Sequence, residues 1–162
     1  MSARVGFGFD VHRLVKGRPC VLGGVLMDHD AGPDGHSDGD AVLHALCDAL
    51  LGAAGLDDLG TLFPDTDSKW KDADSGLLLV EVVRRVHAAG WTLGNADIVV
   101  QTEGPRIAPA RASMRREIAV LCDVSSDCIN IKGKTFEGLG SMADGAAVAV
   151  QAVVLLEPLS QQ

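Results

Sequence analysis

Tyrosine is absent from this chain, and aromatic residues make up only 4% of it. Proteins that hold single-stranded RNA stack bases on aromatic faces, so a platform of that kind is not expected. Positive charge is also scarce: 14 Lys and Arg stand against 22 Asp and Glu, a formal net charge of −8. Nucleic acid needs a basic footprint and is therefore not an expected partner, and any phosphate this chain binds must be held locally. The apolar stretch Ala146 to Leu156 is broken by Gln151 and falls short of the roughly 18 residues of a membrane span, so no membrane association is expected. The four cysteines, Cys20, Cys47, Cys122 and Cys128, include no Cys-x-x-Cys pair. With no signal-peptide pattern at the N-terminus, they fit reduced thiols in a cytoplasm-like compartment and offer no thiolate zinc motif.

What remains is ample for one core. A chain of 162 residues argues for a single domain, which at this size buries about two-thirds of the surface of its unfolded form without staples. The pattern predicts an α+β order, with a mixed β-sheet covered on one face by helices. A strand from Val5 to Leu14 is followed, after the turn Lys16 to Pro19, by a second strand over Cys20 to Met27, and the two are expected to form a hairpin. Val42, Leu46, Ala49 and Leu50 recur at helical spacing, so a first helix is predicted over Ala41 to Leu56, capped by Asp38 or Asp40 and stopped by Gly55. Leu56 to Asp74 has no sustained period and reads as an ordered loop of a length that tends to carry function. A second helix over Ser75 to Ala89, with a Glu81–Arg85 pair, ends at Gly90. Strands near Ala96 to Thr102, Ile129 to Thr135 and Ala146 to Glu157, and a helix around Pro109 to Leu121, complete the order.

The first strand carries an unusual inventory. Val5, Phe7, Phe9 and Val11 alternate with Gly6, Gly8, Asp10 and His12, and a period of two puts the two sets on opposite faces. One face is apolar; on the other, two glycines clear space and a carboxylate and an imidazole point the same way. They face either a metal ion or solvent at a strand end. His44, in the first helix, has Asp40 and Asp48 four residues to either side, and one of these is expected to accept the proton of the ring nitrogen that binds no metal. Asp10, His12 and His44 supply one oxygen and two nitrogens, a set that suits zinc with one position open, though manganese and iron fit the same donors.

Two further clusters stand out. In "HSDGD", His36 precedes a helix start, where backbone N–H groups favour anions, and is either a phosphate contact or an exposed loop histidine. In "NIKGKTFEGLG", Lys132, Lys134 and Thr135 close a strand and Glu137 follows. A lysine with a hydroxyl makes a small phosphate clamp, and a nearby carboxylate suits a second hard cation bridging phosphate oxygens. The same lysines also suit a protected strand edge.

Taken together, "GFDVH", "HSDGDAVLHALCDALLGAAGL", "LFPDTD" and "KTFEGLG" closely resemble the 2-C-methyl-D-erythritol 2,4-cyclodiphosphate synthases of non-mevalonate isoprenoid biosynthesis, along essentially the whole chain. The resemblance implies a cyclase that converts 4-diphosphocytidyl-2-C-methyl-D-erythritol 2-phosphate to the cyclic diphosphate and CMP. It further implies a homotrimer with active sites between subunits, located in the cytoplasm, or in the plastid stroma after loss of a transit peptide. By the same resemblance, zinc is bound by Asp10, His12 and His44, and a magnesium or manganese ion on the diphosphate is bound by Glu137. His36 and Thr135 match residues that orient or stabilise the transferring phosphates, with Ser37 beside them. Asp58, Leu59 and Gly60, and the run Phe63, Pro64, Asp65, Thr66 and Asp67, match the surroundings of the methylerythritol, and the loop before Trp70 is the expected shield against water. Thr102, Glu103, Gly104, Pro105, Arg106, Ile107 and Ala108 match a cytidine-binding segment that works mainly through backbone groups. Three positions depart from the family pattern: Lys134 stands where many members have threonine, adding positive charge near the leaving phosphate, and Asp144 and Gln151 stand where many have arginine and glutamate around the trimer axis. Outside this family, the same triad would suit a zinc hydrolase, and a non-catalytic nucleotide binder would need only the basic pocket.

Overall fold

Gly6 and Gly8 determine how the core is assembled. In the computed structural model, which describes residues 2–35, 37–64, 66 and 73–159, a Cβ at Gly6 would lie 1.9 Å from the Ala49 carbonyl oxygen, and one at Gly8 1.9 Å from that of Ala45. Only hydrogen on these residues lets helix α1 (Ala41–Ala54) rest directly on strand β1 (Arg4–Lys16). Two residues along the strand thus correspond to one turn of the helix. The covered face of β1 is the glycine face, and Val5, Phe7, Phe9 and Val11 lie on the exposed one.

β1 sits in a five-stranded sheet of order β4-β1-β7-β5-β6. β4 (Ala31–Pro33) and β7 (Ala147–Pro158) run antiparallel to it, with Asp10 opposite Val150 and His12 opposite Val148. β5 (Trp91–Thr102) is antiparallel to β7 and parallel to β6 (Ile129–Lys134), so the sheet is mixed. α1, α3 (Ser75–Ala88) and α4 (Arg111–Cys122) bring Leu46, Leu50, Leu79, Val82, Met114 and Ile118 against Ile98, Val100, Ile131 and Val150 in one core. The mixed sheet covered on one face by helices is as expected.

The predicted hairpin is not. Cys20–Met27 does not pair with β1 but folds on itself, as strands β2 (Val21–Leu22) and β3 (Val25–Leu26). Gly23 and Gly24 have φ of 61° and 74°, the two positive values that a tight two-residue turn requires, and the pair of glycines is itself a hairpin signal. β4 takes the place beside β1, pairing Leu14 with Pro33 and Lys16 with Ala31. The predicted long loop contains a short helix, α2 (Leu59–Leu62), capped by Asp58. β5 begins at Trp91, earlier than expected, with a bulge between Leu93 and Asn95. Asp40 caps α1, and Gly55 ends it at φ 75°. Glu81 binds Arg85 as predicted and Arg84 as well.

Candidate functional site

The packing that brings Ala45 and Ala49 onto Gly8 and Gly6 carries the next residues of the strand to the first turns of α1. There Asp10, His12 and His44 offer ligand atoms that all lie within 4.8 Å of one another. Asp10 Oδ2 is 2.9 Å from His12 Nε2 and 3.2 Å from His44 Nδ1. His12 Nδ1 lies 2.5 Å from the Asp34 carbonyl oxygen. A carbonyl only accepts, so Nδ1 carries a proton, and in the neutral ring Nε2 presents a lone pair. That Nε2 is buried without a well-directed hydrogen bond, although the carboxylate is close. One carboxylate and two imidazoles whose ligand atoms converge, one of them a buried nitrogen without a well-directed hydrogen bond, suit a cation, so the donor set fits a metal ion.

The electrostatics point the same way. Burial alone would raise the Asp10 carboxyl, but hydrogen bonds and charge from His12 and His44 hold it well below the usual carboxylate range. Burial would lower His12, yet the Asp10 hydrogen bond and charge outweigh it and raise the imidazole above its usual value. The centre attracts positive charge.

The partner of the far nitrogen of His44 is neither Asp40 nor Asp48, as the sequence suggested. Asp40 is fully buried and accepts N–H groups from Gly23, Gly24, Val42 and Leu43; burial pushes its carboxyl up to about 6 against the pull of Gly24, Gly23 and Leu43. It joins the small hairpin to the start of α1. Asp48 Oδ1 accepts from Leu59 N at 2.8 Å and anchors α2. His44 Nε2 instead meets Ser75 Oγ at 2.9 Å and Ser37 Oγ at 3.3 Å. Helical spacing points to neighbours on the same helix, whereas Ser75 arrives from the start of α3, a tertiary contact without a sequence period.

A second concavity, a cleft of about 360 Å³, is lined by Thr102, Glu103, Pro105, Arg106, Ile107 and Ala108 together with Arg111, Gly133, Lys134 and Thr135. The matched cytidine segment and the end of β6 therefore meet. Gly133 allows it: a Cβ there would come 3.0 Å from Ile107 Cβ. Glu103 Oε1 accepts from Phe136 N at 2.7 Å, tying the two loops together. Gly104 is among the segment's residues and precedes a cis proline bond. Arg111, at the start of α4, is a cleft cation that the sequence reading missed; in sequence it looks like any helix-terminal arginine. Lys132 is not part of the clamp, since its Nζ binds Asp97 at 2.6 Å on the edge strand. Thr135 Oγ1 donates to Glu137 Oε1 at 3.0 Å. Glu137 belongs to no group of three metal-ligating side chains among the described residues.

Asp10, His12 and His44 do not line this cleft. The strands that carry the two sites, β1 and β6, are separated by β7 and β5. Of the other matched residues, Phe63 is buried in the core, Gly60, Pro64 and Thr66 are exposed, and Leu59 is half-buried. His36, Asp65, Asp67 and Trp70 lie outside the described residues. Asp144 Oδ1 accepts from Ala146 N, and Gln151, on β7, donates to Gln101.

A family model described as the YgbB family matches residues 3–157. The chain belongs to the YgbB family. Within that family's range, the 2-C-methyl-D-erythritol 2,4-cyclodiphosphate synthase of Laribacter hongkongensis (strain HLHK9) is 51% identical over 162 residues, covering 100% of each chain. A solved structure of a 2C-methyl-D-erythritol-2,4-cyclodiphosphate synthase in a CDP-bound form superposes with a TM-score of 0.88 at 43% identity, over 95% of this chain and 100% of that one. The CDP complex of IspF from Plasmodium falciparum gives a TM-score of 0.86 at 31% identity, over 98% of each chain. No helix among the described residues is long and apolar enough to cross a membrane.

Proposed function

We propose that this YgbB-family chain catalyses the closure of 4-diphosphocytidyl-2-C-methyl-D-erythritol 2-phosphate to 2-C-methyl-D-erythritol 2,4-cyclodiphosphate, with release of CMP. The observation that carries the reading is the convergence of Asp10, His12 and His44 in a chain that matches such a synthase from end to end. In the reaction an oxygen of the 2-phosphate forms a bond to the β-phosphorus, the bond from that phosphorus to the bridging oxygen breaks, and CMP leaves with the bridging oxygen.

The attacking phosphate is already ionised near neutral pH, so the chain's task is to position it and neutralise charge rather than to supply a strong base. A zinc-class ion held by Asp10, His12 and His44, and a magnesium or manganese ion shared by Glu137 and the diphosphate, would supply the Lewis-acid charge that balances the phosphate oxygens. Ser37 and His36, which precede α1 in sequence, orient the phosphate. With substrate bound, Thr135 turns its hydroxyl from Glu137 to the diphosphate, and Lys134 and Arg111 place positive charge along the cleft, next to the leaving CMP. Backbone groups of Thr102 to Ala108 hold the cytidine, and Asp58 to Gly60 and Phe63 to Asp67 surround the methylerythritol.

The chain works as a homotrimer. Val5, Phe7 and Phe9 are 69%, 62% and 49% exposed on the uncovered sheet face, beside Val11 and Val153. An apolar face of that size on one chain is what a partner surface looks like. Metal triad and cleft belong to different regions of one chain, so a ring in which each triad meets a neighbour's cleft would assemble complete sites, and head-to-tail contacts of this kind close into rings. Phosphorus NMR of the chain incubated with the diphosphocytidyl substrate and magnesium tests the reading. Cyclic diphosphate and CMP are expected; hydrolysed phosphates would indicate a zinc hydrolase, and unchanged substrate a non-catalytic binder.

A further inference from the structure

The start of α3 lies against the metal triad, and one carboxylate organises the contact. Asp38 Oδ2 accepts the Ser75 backbone N–H at 3.1 Å, and Asp38 Oδ1 accepts the Ser75 hydroxyl. Ser75 is completely buried, and its Oγ also lies 2.9 Å from His44 Nε2. A serine hydroxyl has one proton. Because that proton goes to Asp38, the oxygen can only accept from the imidazole, and Nε2 must carry the ring proton. The opposite nitrogen, Nδ1, is then left with its lone pair towards Asp10, 3.2 Å away. His12 is set in the complementary way, with Nδ1 donating to the Asp34 carbonyl, so that the neutral ring has the lone pair of Nε2 towards Asp10, 2.9 Å away. Both rings thus present unprotonated nitrogens to the same point, one through a backbone carbonyl and the other through a two-residue relay.

We infer that Asp38 and Ser75 form a positioning relay that locks His44 in the Nε2–H tautomer and thereby keeps Nδ1 available as a metal ligand. The inference rests on the triad holding a metal. Without the relay, the neutral imidazole gains most by putting its proton on Nδ1 and donating to Asp10, which occupies two of the three ligand atoms in a hydrogen bond with each other. Ser37 Oγ is the competing partner at 3.3 Å. It accepts from Gly39 N, and its own proton is free to be donated to Nε2, so it enforces no tautomer. Ser75 is nearer, and its proton is committed. The relay also connects places distant in sequence: Asp38 lies two residues before the cap of α1, and Ser75 is the first residue of α3, immediately after the long segment that carries the matched methylerythritol contacts.

The test combines two measurements on the full-length chain. Nitrogen NMR of metal-free protein with labelled histidine, at alkaline pH, reads the His44 tautomer, which a merely structural serine would not set. Zinc titration reads affinity; loss of an outer hydrogen-bonding partner typically costs about 10-fold to 100-fold. The wild type is expected to show Nε2–H. Ser75→Ala should shift the population towards Nδ1–H and bind zinc about 10-fold or more weakly, while Ser75→Thr, which keeps the hydroxyl, should restore both. An Nδ1–H tautomer in the wild type overturns the relay and needs no variant to fold. If wild type and Ser75→Ala bind zinc equally well, the relay falls and the metal centre stands. If the wild type binds no zinc, the metal reading falls and the inference with it.

Discussion

Removal of the His44 imidazole takes away one of three converging donors while leaving the Asp38–Ser75 contact intact. His44→Ala should therefore abolish zinc binding in metal analysis and reduce turnover to background. Alanine is the best helix former, so the helix itself should not suffer, and circular dichroism should be unchanged. At the phosphate end, Thr135 and Glu137 bond to each other on an exposed turn and support little of the fold. Thr135→Val and Glu137→Gln should each slow cyclisation by about 10-fold or more, because each loses an interaction with developing charge. Their melting temperatures should stay close to that of the wild type; a large fall with normal turnover would instead make the loop structural. The triad itself was legible in the sequence, since strand alternation aligns Asp10 with His12. Ser75 and Arg111 were not, because each reaches its site by tertiary packing, and serine and arginine are too common to stand out singly.

The close seating of α1 on β1 is the structural condition for the site, and glycine is its means. A methyl group at position 8 would overlap the Ala45 carbonyl and lie 2.7 Å from Ala49 N, so helix and strand must separate. Gly8→Ala should destabilise the chain by about 2 kcal/mol or more, as overpacking of a rigid contact does, and should weaken zinc binding because His44 retreats with the helix. Gly52, on the outer side of the same helix, has nothing within 4 Å of an added Cβ. Gly52→Ala should gain about 1 kcal/mol from helix propensity. Thermal melts of the two variants, moving in opposite directions, would separate close approach from backbone freedom. Periodicity located α1, α3, β1 and β7 to within a few residues, but only the second half of β5. It failed at Cys20–Met27, where an apolar run masked the Gly23-Gly24 turn, and in the segment after Leu56, where α2 is too short to establish a helical period.

At the scale of the whole molecule, the proposed ring of three copies would account for both the apolar face of the sheet and the separation of triad from cleft. Charge in that face should prevent assembly: Phe7→Glu is expected to give monomers in sedimentation, with the circular dichroism of the wild type, since Phe7 contributes little to the buried core. Those monomers should retain zinc and lose cyclisation, because each keeps its own triad but lacks a neighbour's cleft. A fully active monomer would show that one chain contains the entire site. Alternation in the sequence showed that Val5, Phe7, Phe9 and Val11 share a face, but which face the helices cover follows from the glycines opposite. The most direct test of the central claim, ring closure without water, is turnover of the diphosphocytidyl substrate in heavy-oxygen water, read by mass spectrometry. Cyclisation predicts that neither CMP nor the cyclic diphosphate gains label; labelled CMP, or a labelled open-chain 2,4-bisphosphate in place of the cyclic diphosphate, would mean that water, and not the 2-phosphate, attacks the diphosphate.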